Sequence, residues 1–176
     1  MTTLTKKNIE SRLKSILSER IMILDGAMGT MIQQHHLTEK DYRGNQFSKF
    51  SAPDGERELF LKGNNELLSI TKPEIIQDIH EEFLEAGADI IETNTFGANS
   101  IAQDDYYMPH LVHEMNLASV NIARKAVGNY SSPEKPRFIA GAIGPTPKTA
   151  SISPDVNDPG ARNINFDELV KSYREQ

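Results

Sequence analysis

The hydrophobic positions at the start of the chain predict a surface helix followed by a buried strand. Four apolar residues recur at i, i+4, i+7 and i+8 and form one stripe: Ile9, Leu13, Ile16 and Leu17. The run 21–24 is apolar without alternation and stops at Asp25, which is typical of a strand covered on both faces in a parallel sheet. We expect a short helix over 28–36 after it.

From residue 37 to about residue 70 no periodic pattern is visible, and turn-forming residues such as Gly44, Pro53 and Gly63 recur. This segment is therefore predicted to lack regular structure. An irregular segment of this length within a domain is more often functional than idle.

Regular helix–strand alternation returns after this segment. A helix is predicted from Thr71, whose spacing to Glu74 is that of a capping box, and Gly87 stands where a left-handed C-cap belongs. The other predicted elements are a strand over 88–93, a helix over 110–127 that Gly128 ends, a strand over 138–144 and a helix that begins at Asn165, capped with Glu168.

This alternation indicates an α/β fold with parallel strands and right-handed crossovers. Two architectures remain open at this point, a doubly wound open sheet and part of a (β/α)8 TIM barrel. Residues 166–176 have a helical pattern without a C-cap or a following strand, and three strands are few for either core. We therefore expect residues 1–176 to be one portion of a domain that is incomplete at its C-terminal end.

Charge and composition narrow the classes of function. The 176 residues carry a net charge of −6 and show no basic patch, which argues against a nucleic-acid partner. No apolar run approaches the roughly 18 residues of a membrane helix, and the N-terminus lacks the apolar core of a signal peptide, so a cytoplasmic location without a membrane partner is expected. The absence of cysteine excludes disulfides and cysteine-ligated metal within this chain.

Small polar residues and glycines follow each of the three predicted strands. The sequence Asp-Gly-Ala-Met-Gly-Thr occupies 25–30, Glu-Thr-Asn-Thr-Phe-Gly-Ala-Asn occupies 92–99, and Gly-Pro-Thr occupies 144–146. In an α/β sheet such residues converge at the carboxyl edge, where ligands bind. For Asp25 alone, a role as cap of the following helix is equally open, and 92–99 alone is also compatible with a plain Asx turn.

The histidines carry less information. The pairs His35-His36 and His110 with His113 do not match the spacing of a helical zinc protease motif. His80, which is followed by Glu81 and Glu82, is expected on the solvated face of its helix. Gln103 and the acidic pair after it are expected in a surface loop.

Taken in this order and spacing, the motifs resemble the homocysteine S-methyltransferase family, and within it the N-terminal part of the cobalamin-dependent members. The resemblance is carried by the leading helix and by DGAMGT at 25–30, GNNELL at 63–68, ETNTFGAN at 92–99 and AGAIGPT at 140–146. It covers nearly the whole chain. It implies a partial (β/α)8 TIM barrel, in which this chain supplies the first three βα units preceded by an N-terminal helix.

The resemblance also implies an activity and its cofactors. Family members methylate homocysteine, whose thiol is activated by zinc on three cysteines, and the cobalamin-dependent ones take the methyl group from 5-methyltetrahydrofolate through methylcobalamin. Because this chain has no cysteine, the zinc ligands must lie elsewhere, and we expect the segment alone to be inactive and to bind neither cofactor. The implied partners are homocysteine, the rest of the barrel and the folate and cobalamin modules, together with possible self-association of the segment.

Carried over residue by residue, the resemblance predicts a substrate-binding site and no catalytic residue. Asp25 is the expected partner of the substrate amino group. Gly26, Gly29 and Thr30 form the turn that is expected to receive the substrate carboxylate. Thr93 and Asn94 are expected to form the floor of the pocket. Two other interpretations stay open: a homocysteine methyltransferase that uses betaine or S-methylmethionine, and a non-catalytic interaction module.

Overall fold

The computed structural model describes residues 6–53, 55 and 58–176 and shows an α/β chain in which helices dominate. The helices are α1 (Lys6–Glu19), α2 (Met28–Gln34), α3 (Glu39–Arg43), α4 (Leu68–Thr71), α5 (Pro73–Ala86), α6 (Ser100–Gln103), α7 (Val112–Tyr130) and α8 (Phe166–Glu175). Short 3-10 helices occupy Asn65–Leu67, Asp104–Tyr106 and Pro109–Leu111, and the strands are β1 (Ile90–Glu92) and β2 (Phe138–Ala140). None of the helices in the described ranges has the length and apolar character needed to cross a membrane.

Three segments lie side by side in chain order, as the alternation predicted. β1 pairs in parallel with β2, with Ile90 opposite Phe138, and Leu24 forms a parallel bridge to Ile90 on the other side. Since all three run in one direction, the residues that follow them emerge at one edge of the sheet. The two named strands are shorter than the predicted ranges 88–93 and 138–144.

The first predicted strand, 21–25, is reduced to the single bridge at Leu24, and its burial on both faces is wrong. Ile21 is 86% exposed and Leu24 is 49% exposed. Within the described residues, this segment has a strand neighbour on one side alone. A continuous apolar run predicts burial, but the layers that would cover it are not supplied by the elements that surround it here.

The helix α5 shows which local signals are reliable. Gly87 ends the helix with φ 116°, in the left-handed region, as predicted. Thr71 is not its cap, because its hydroxyl bonds the Leu67 carbonyl within α4, and the residue before α5 is Lys72, which makes no side-chain capping bond. The capping box of Asn165 and Glu168 at the start of α8 is confirmed.

Gly128 does not end α7, which continues to Tyr130. Glycine in a helix costs about 1 kcal/mol relative to alanine. Here that cost is outweighed by the packing of α7 against α5, the most extensive helix contact among the described residues. α7 buries Met115, Ile122 and Ala126 in this contact region.

The segment 37–70 is ordered where it is described, against the prediction. Arg43 in α3 donates to the carbonyls of Phe50 and Leu59 at 2.6 and 2.5 Å, and the Glu39 carboxylate accepts from the Leu61 N–H at 2.8 Å. Leu61 is completely buried. The segment thus has more regular structure than predicted, in α3, the 3-10 helix Asn65–Leu67 and α4. Between these elements side-chain bonds to the backbone fix the chain, and such bonds leave no periodic pattern in the sequence.

Two further expectations are wrong. His80 is not on a solvated face but is completely buried in α5, and Gln103 is buried to 1% exposure at the end of α6. His80 is four residues after the buried Ile76 and four residues before the buried Leu84, so it belongs to the apolar stripe of its helix. Gln103 is held by a buried partner from another segment, Asn64.

Candidate functional site

A cavity of about 350 Å³ opens at the edge of the sheet where the parallel segments end. Its walls come from the turn after the first segment, the 3-10 helix Asn65–Leu67 and the residues after the two strands. The lining residues are Asp25, Gly26, Ala27, Met28, Gly29, Asn65, Glu66, Glu92, Thr93, Asn94, Phe96 and Ala142. The motifs 25–30 and 92–99 therefore meet at this cavity as predicted, whereas none of the residues Gly-Pro-Thr at 144–146 is in its lining.

Asp25 lines this cavity, and one of its two carboxylate oxygens has no hydrogen-bond partner among the described residues. Its Oδ2 accepts the Glu92 N–H at 3.0 Å, which holds the side chain against β1. Its Oδ1 is buried and has no hydrogen-bond partner among the residues that the structure describes. A buried carboxylate oxygen without a donor is unfavourable unless a ligand supplies one.

The electrostatics of Asp25 agree with this geometry. Burial raises the pKa of Asp25 to about 6, and the nearby Glu92 carboxylate adds to the increase, while the bond from the Glu92 N–H opposes it. A cation placed at Oδ1 would reverse this shift, because an opposite charge favours the ionised form.

Asp25 does not cap the helix that follows it. The residue before α2 is Ala27, which makes no side-chain capping bond, and the Asp25 carboxylate is bonded to β1 instead. The alternative in which Asp25 serves as the N-cap of α2 is thus wrong.

The turn residues predicted with Asp25 lie in different surroundings. Gly26 and Gly29 line the cavity. A Cβ on Gly26 would lie 3.0 Å from a ring carbon of Phe83, so this turn packs closely on α5 and a larger residue would displace the ring. Thr30 is exposed in α2 and is not among the lining residues.

Thr93 and Asn94 line the cavity, but their polar groups also fix its walls. Thr93 Oγ1 accepts the Ala142 N–H at 3.1 Å and bonds Thr95 Oγ1 at 2.7 Å, which ties together the ends of the two strands. Asn94 Nδ2 donates to the Asn65 carbonyl at 2.8 Å and to Ser69 Oγ at 3.1 Å. Both side chains are nearly completely buried.

The sequence motifs did not single out Glu66 or Phe96, which also line the cavity. Glu66 Oε1 accepts the Gly97 N–H at 2.8 Å, and burial raises the pKa of Glu66. Phe96 is 59% exposed. A usable signal existed for Phe96, since it is the one large apolar residue among the small polar ones of 92–99.

The described residues do not fit the zinc ion that the family resemblance implies. Zinc that activates a thiol is held by at least three protein ligands. The chain has no cysteine, and within the described ranges no three side chains of the His, Asp and Glu types lie close enough to hold a metal. We therefore derive no step through zinc.

We expect the purified chain to retain less than a tenth of an equivalent of zinc after washing with a chelator, because isolated histidines and carboxylates hold the ion weakly. Elemental analysis of the washed protein measures this directly. Tight, equimolar zinc would contradict the account of the donor set.

Comparison with known proteins gives a family match and a likeness of fold. The model of a family described as homocysteine S-methyltransferase matches residues 22–176. Two crystal structures of the homocysteine methyltransferase MmuM from Escherichia coli are similar, the oxidized form with 22% identity and a TM-score of 0.56 and the metallated form with 21% and 0.55. Each alignment covers 76% of this chain, and the chain spans about two fifths of MmuM, 40% and 41%.

Proposed function

This chain belongs to the homocysteine S-methyltransferase family, and we propose that its cavity binds the amino-acid end of homocysteine while the substrate sulfur accepts a methyl group. We propose further that the three parallel segments are the first three βα units of a barrel. The order of Leu24, β1 and β2 supports this arrangement, since sequential strands are neighbours in a barrel.

The observation that carries the proposal is that Asp25 lines the cavity while its buried Oδ1 has no hydrogen-bond partner among the described residues. The ammonium group of an α-amino acid has three N–H donors and a positive charge, and it supplies both things that this oxygen lacks. An ammonium–carboxylate contact in a partly buried site is stronger than a neutral hydrogen bond. The bond from the Glu92 N–H to Oδ2 fixes the orientation of the carboxylate against β1.

The remaining predicted residues keep their proposed places around the same ligand. Gly26 and Gly29 would face the substrate carboxylate from the turn, while Thr93 and Asn94 would form the floor. Thr30 is the least supported of the set, because it is exposed and does not line the cavity.

We propose cobalamin-dependent methionine synthase as the finer assignment, with methyl transfer from 5-methyltetrahydrofolate through methylcobalamin to make methionine. Its support is the sequence of the motif DGAMGT at 25–30 and of the long segment that follows it. Zinc and cobalamin would be held by other parts of the protein, and no described residue is assigned to either. A methyl-transfer assay of the whole protein that carries this segment, with methylcobalamin, betaine or S-methylmethionine as the sole donor, distinguishes the donors.

We expect homocysteine to bind the chain, and the affinity to fall as the pH is lowered through about 6. The ligand amino group stays protonated in this range, whereas Asp25, with a pKa of about 6, loses its charge. Protonation of Asp25 therefore removes the attraction and weakens binding at pH 5 relative to pH 7. Calorimetric titration at both pH values measures the change.

N-acetylhomocysteine provides the matched control, because it keeps the sulfur and the carboxylate but has no ammonium group. We expect it to bind far more weakly than homocysteine at pH 7. Equal affinity of the two compounds would show that Asp25 does not recognise an ammonium group.

A further inference from the structure

The backbone of Gly97 is held on both sides by side chains from other elements. Its N–H donates to Glu66 Oε1 at 2.8 Å, and its carbonyl accepts from Gln103 Nε2 at 3.1 Å. Gln103 is fixed in turn by a reciprocal amide pair with Asn64, at 2.8 and 3.1 Å, in which both residues are buried. Gly97 therefore has one position relative to the 3-10 helix Asn65–Leu67 and to α6.

Glu66 also packs directly on Gly97. A Cβ on Gly97 would lie 3.1 Å from Glu66 Oε1 and 3.4 Å from Oε2. The carboxylate thus occupies the space that a side chain at residue 97 would need. The contact joins two of the motifs that line the cavity, 63–68 and 92–99.

The residue before Gly97 is Phe96, whose ring stands at the cavity against the third parallel segment. The Phe96 carbonyl accepts the Gly144 N–H at 3.0 Å. A Cβ on Gly144 would lie 2.6 Å from two carbons of the Phe96 ring, so the ring fills space that only a glycine leaves open. The ring nevertheless remains 59% exposed.

An exposed aromatic ring on a fixed backbone is suited to contact a ligand. Exposure of so large an apolar group is unfavourable in water, while the bonds to Glu66, Gln103 and Gly144 hold the backbone from which the ring extends. Asp25, whose Oδ1 has no hydrogen-bond partner among the described residues, and Phe96 line the same cavity. The Asp25 carboxylate is suited to a positively charged ligand group, and the Phe96 ring is suited to an apolar ligand group.

We propose that Glu66 is a positioning residue of the cavity: by holding Gly97 it fixes the Phe96 ring as an apolar wall that selects an α-amino acid with a sulfur-bearing side arm over one with a hydroxyl. This inference rests on the proposed binding of homocysteine at Asp25. A thiol or thioether makes favourable contacts with an aromatic ring. A hydroxyl in the same place gives up hydrogen bonds to water and gains none from the ring.

The experiment compares homocysteine with homoserine, which has a hydroxyl in place of the thiol, by calorimetric titration of the unaltered chain and four variants. Phe96→Ala removes the wall, and Phe60→Ala is its control, because Phe60 is 56% exposed and does not line the cavity. Glu66→Ala removes the acceptor of the Gly97 N–H, whereas Glu66→Gln keeps an oxygen acceptor without the charge.

We expect Phe96→Ala and Glu66→Ala each to lower the ratio of the two affinities by about tenfold, in the range that a hydrophobic pocket contributes to discrimination. Glu66→Gln should restore the ratio to within about twofold of the unaltered chain, and Phe60→Ala should leave it unchanged. A measurement without ligand accompanies these titrations: the nuclear Overhauser effect between the Phe96 ring protons and the Gly144 Hα should persist in Glu66→Gln and vanish in Glu66→Ala.

The outcomes separate this inference from the function on which it rests. If Asp25→Asn weakens homocysteine binding but Phe96→Ala leaves the ratio of homocysteine to homoserine affinity unchanged, Phe96 is not an apolar wall and the proposed function stays in place. If Glu66→Gln lowers the ratio of the two affinities while the Overhauser effect persists, Glu66 acts through its charge and not by positioning the Phe96 ring. If Glu66→Ala does not melt cooperatively, the affinity ratio and the Overhauser effect are compared in Glu66→Gln and Phe96→Ala instead. Failure of the unaltered chain to bind homocysteine overturns both proposals.

Discussion

Replacing Asp25 by Asn is expected to weaken homocysteine binding by about 10- to 100-fold at pH 7. The substitution removes a hydrogen bond between charged groups, which contributes about 1.5–3 kcal/mol. The Asn oxygen can still accept the Glu92 N–H that now bonds Asp25 Oδ2. The amide NH2 then takes the place of Oδ1 and presents donors to a ligand group that is itself a donor.

The same variant should be no less stable than the unaltered chain at pH 7, which separates lost binding from lost folding. Because burial raises the pKa of Asp25 from 3.8 to about 6, ionisation of this group disfavours the folded state progressively as the pH rises through that interval. Asn has no such charge. Calorimetric titration and thermal melting are measured together, with Asp78→Asn at an exposed site of α5 as the control.

Unchanged homocysteine affinity in Asp25→Asn would contradict the proposed role of the carboxylate. A joint loss of affinity and of the melting transition would instead assign Asp25 a structural role. The control at Asp78 is expected to change neither quantity.

Replacing His80 by Leu is expected to remove a large part of the chain's sensitivity to acid. His80 is completely buried, and neither ring nitrogen has a partner among the described residues. Burial lowers the pKa of His80 from 6.5 to about 4. The unfolded chain therefore binds this proton below pH 6.5 while the folded chain does not, so stability falls as the pH is lowered from 6.5 to about 4.

The loss over that interval should be on the order of 3 kcal/mol, since one pKa unit corresponds to about 1.4 kcal/mol. Leu has a similar volume and no proton to bind, so His80→Leu should lose much less stability between pH 6.5 and pH 4.5. Urea unfolding at both pH values measures this, with His110→Leu at an exposed position as the control. Asp25 contributes with the opposite sign in the same interval, but its contribution cancels when the variant is compared with the unaltered chain.

Parallel pH dependence of His80→Leu and the unaltered chain would contradict the burial of a neutral ring. If His110→Leu reduced the pH dependence of stability as much as His80→Leu does, that result would contradict the same claim. At pH 7.5 we expect His80→Leu to be at least as stable as the unaltered chain, because an unpartnered polar group leaves the interior.

Features that depend on neighbouring residues could be predicted from the sequence. The left-handed residue Gly87 and the capping box of Asn165 with Glu168 follow from local chemistry, and the structure has both. The parallel order of the segments at Leu24, β1 and β2 follows from the alternation of apolar runs and helices. The position of Asp25 at the end of a strand segment placed it at the cavity for the same reason.

Features that depend on partners far away in the sequence could not be predicted. Gln103 is buried because Asn64, 39 residues away, completes its hydrogen bonds, and the order of 37–70 depends on Arg43 reaching the carbonyl groups of other turns. His80 could have been predicted, since its spacing from Ile76 places it on the apolar stripe. Glu81 and Glu82, which follow His80, are half-buried and exposed, respectively, and do not determine where the ring lies.

The site shows the same division. The motifs indicated which strand ends converge, but the contact of Glu66 with Gly97 joins two segments 31 residues apart, and no pattern in either segment predicts it. Thr93, expected at the pocket floor, lines the cavity, but the sequence did not indicate that its hydroxyl also bonds the Ala142 N–H and the Thr95 hydroxyl.

The most direct test of the central claim is a nuclear magnetic resonance titration of the Asp25 carboxyl carbon with and without homocysteine. In the free chain the account predicts a pKa of about 6, raised by burial. Saturating homocysteine should lower this pKa by about 1 to 2 pH units, the equivalent of the roughly 1.5–3 kcal/mol expected for the contact, because the ammonium group favours the ionised carboxylate. An Asp25 pKa that is the same with and without the bound ligand would contradict the proposal that this carboxylate recognises the substrate.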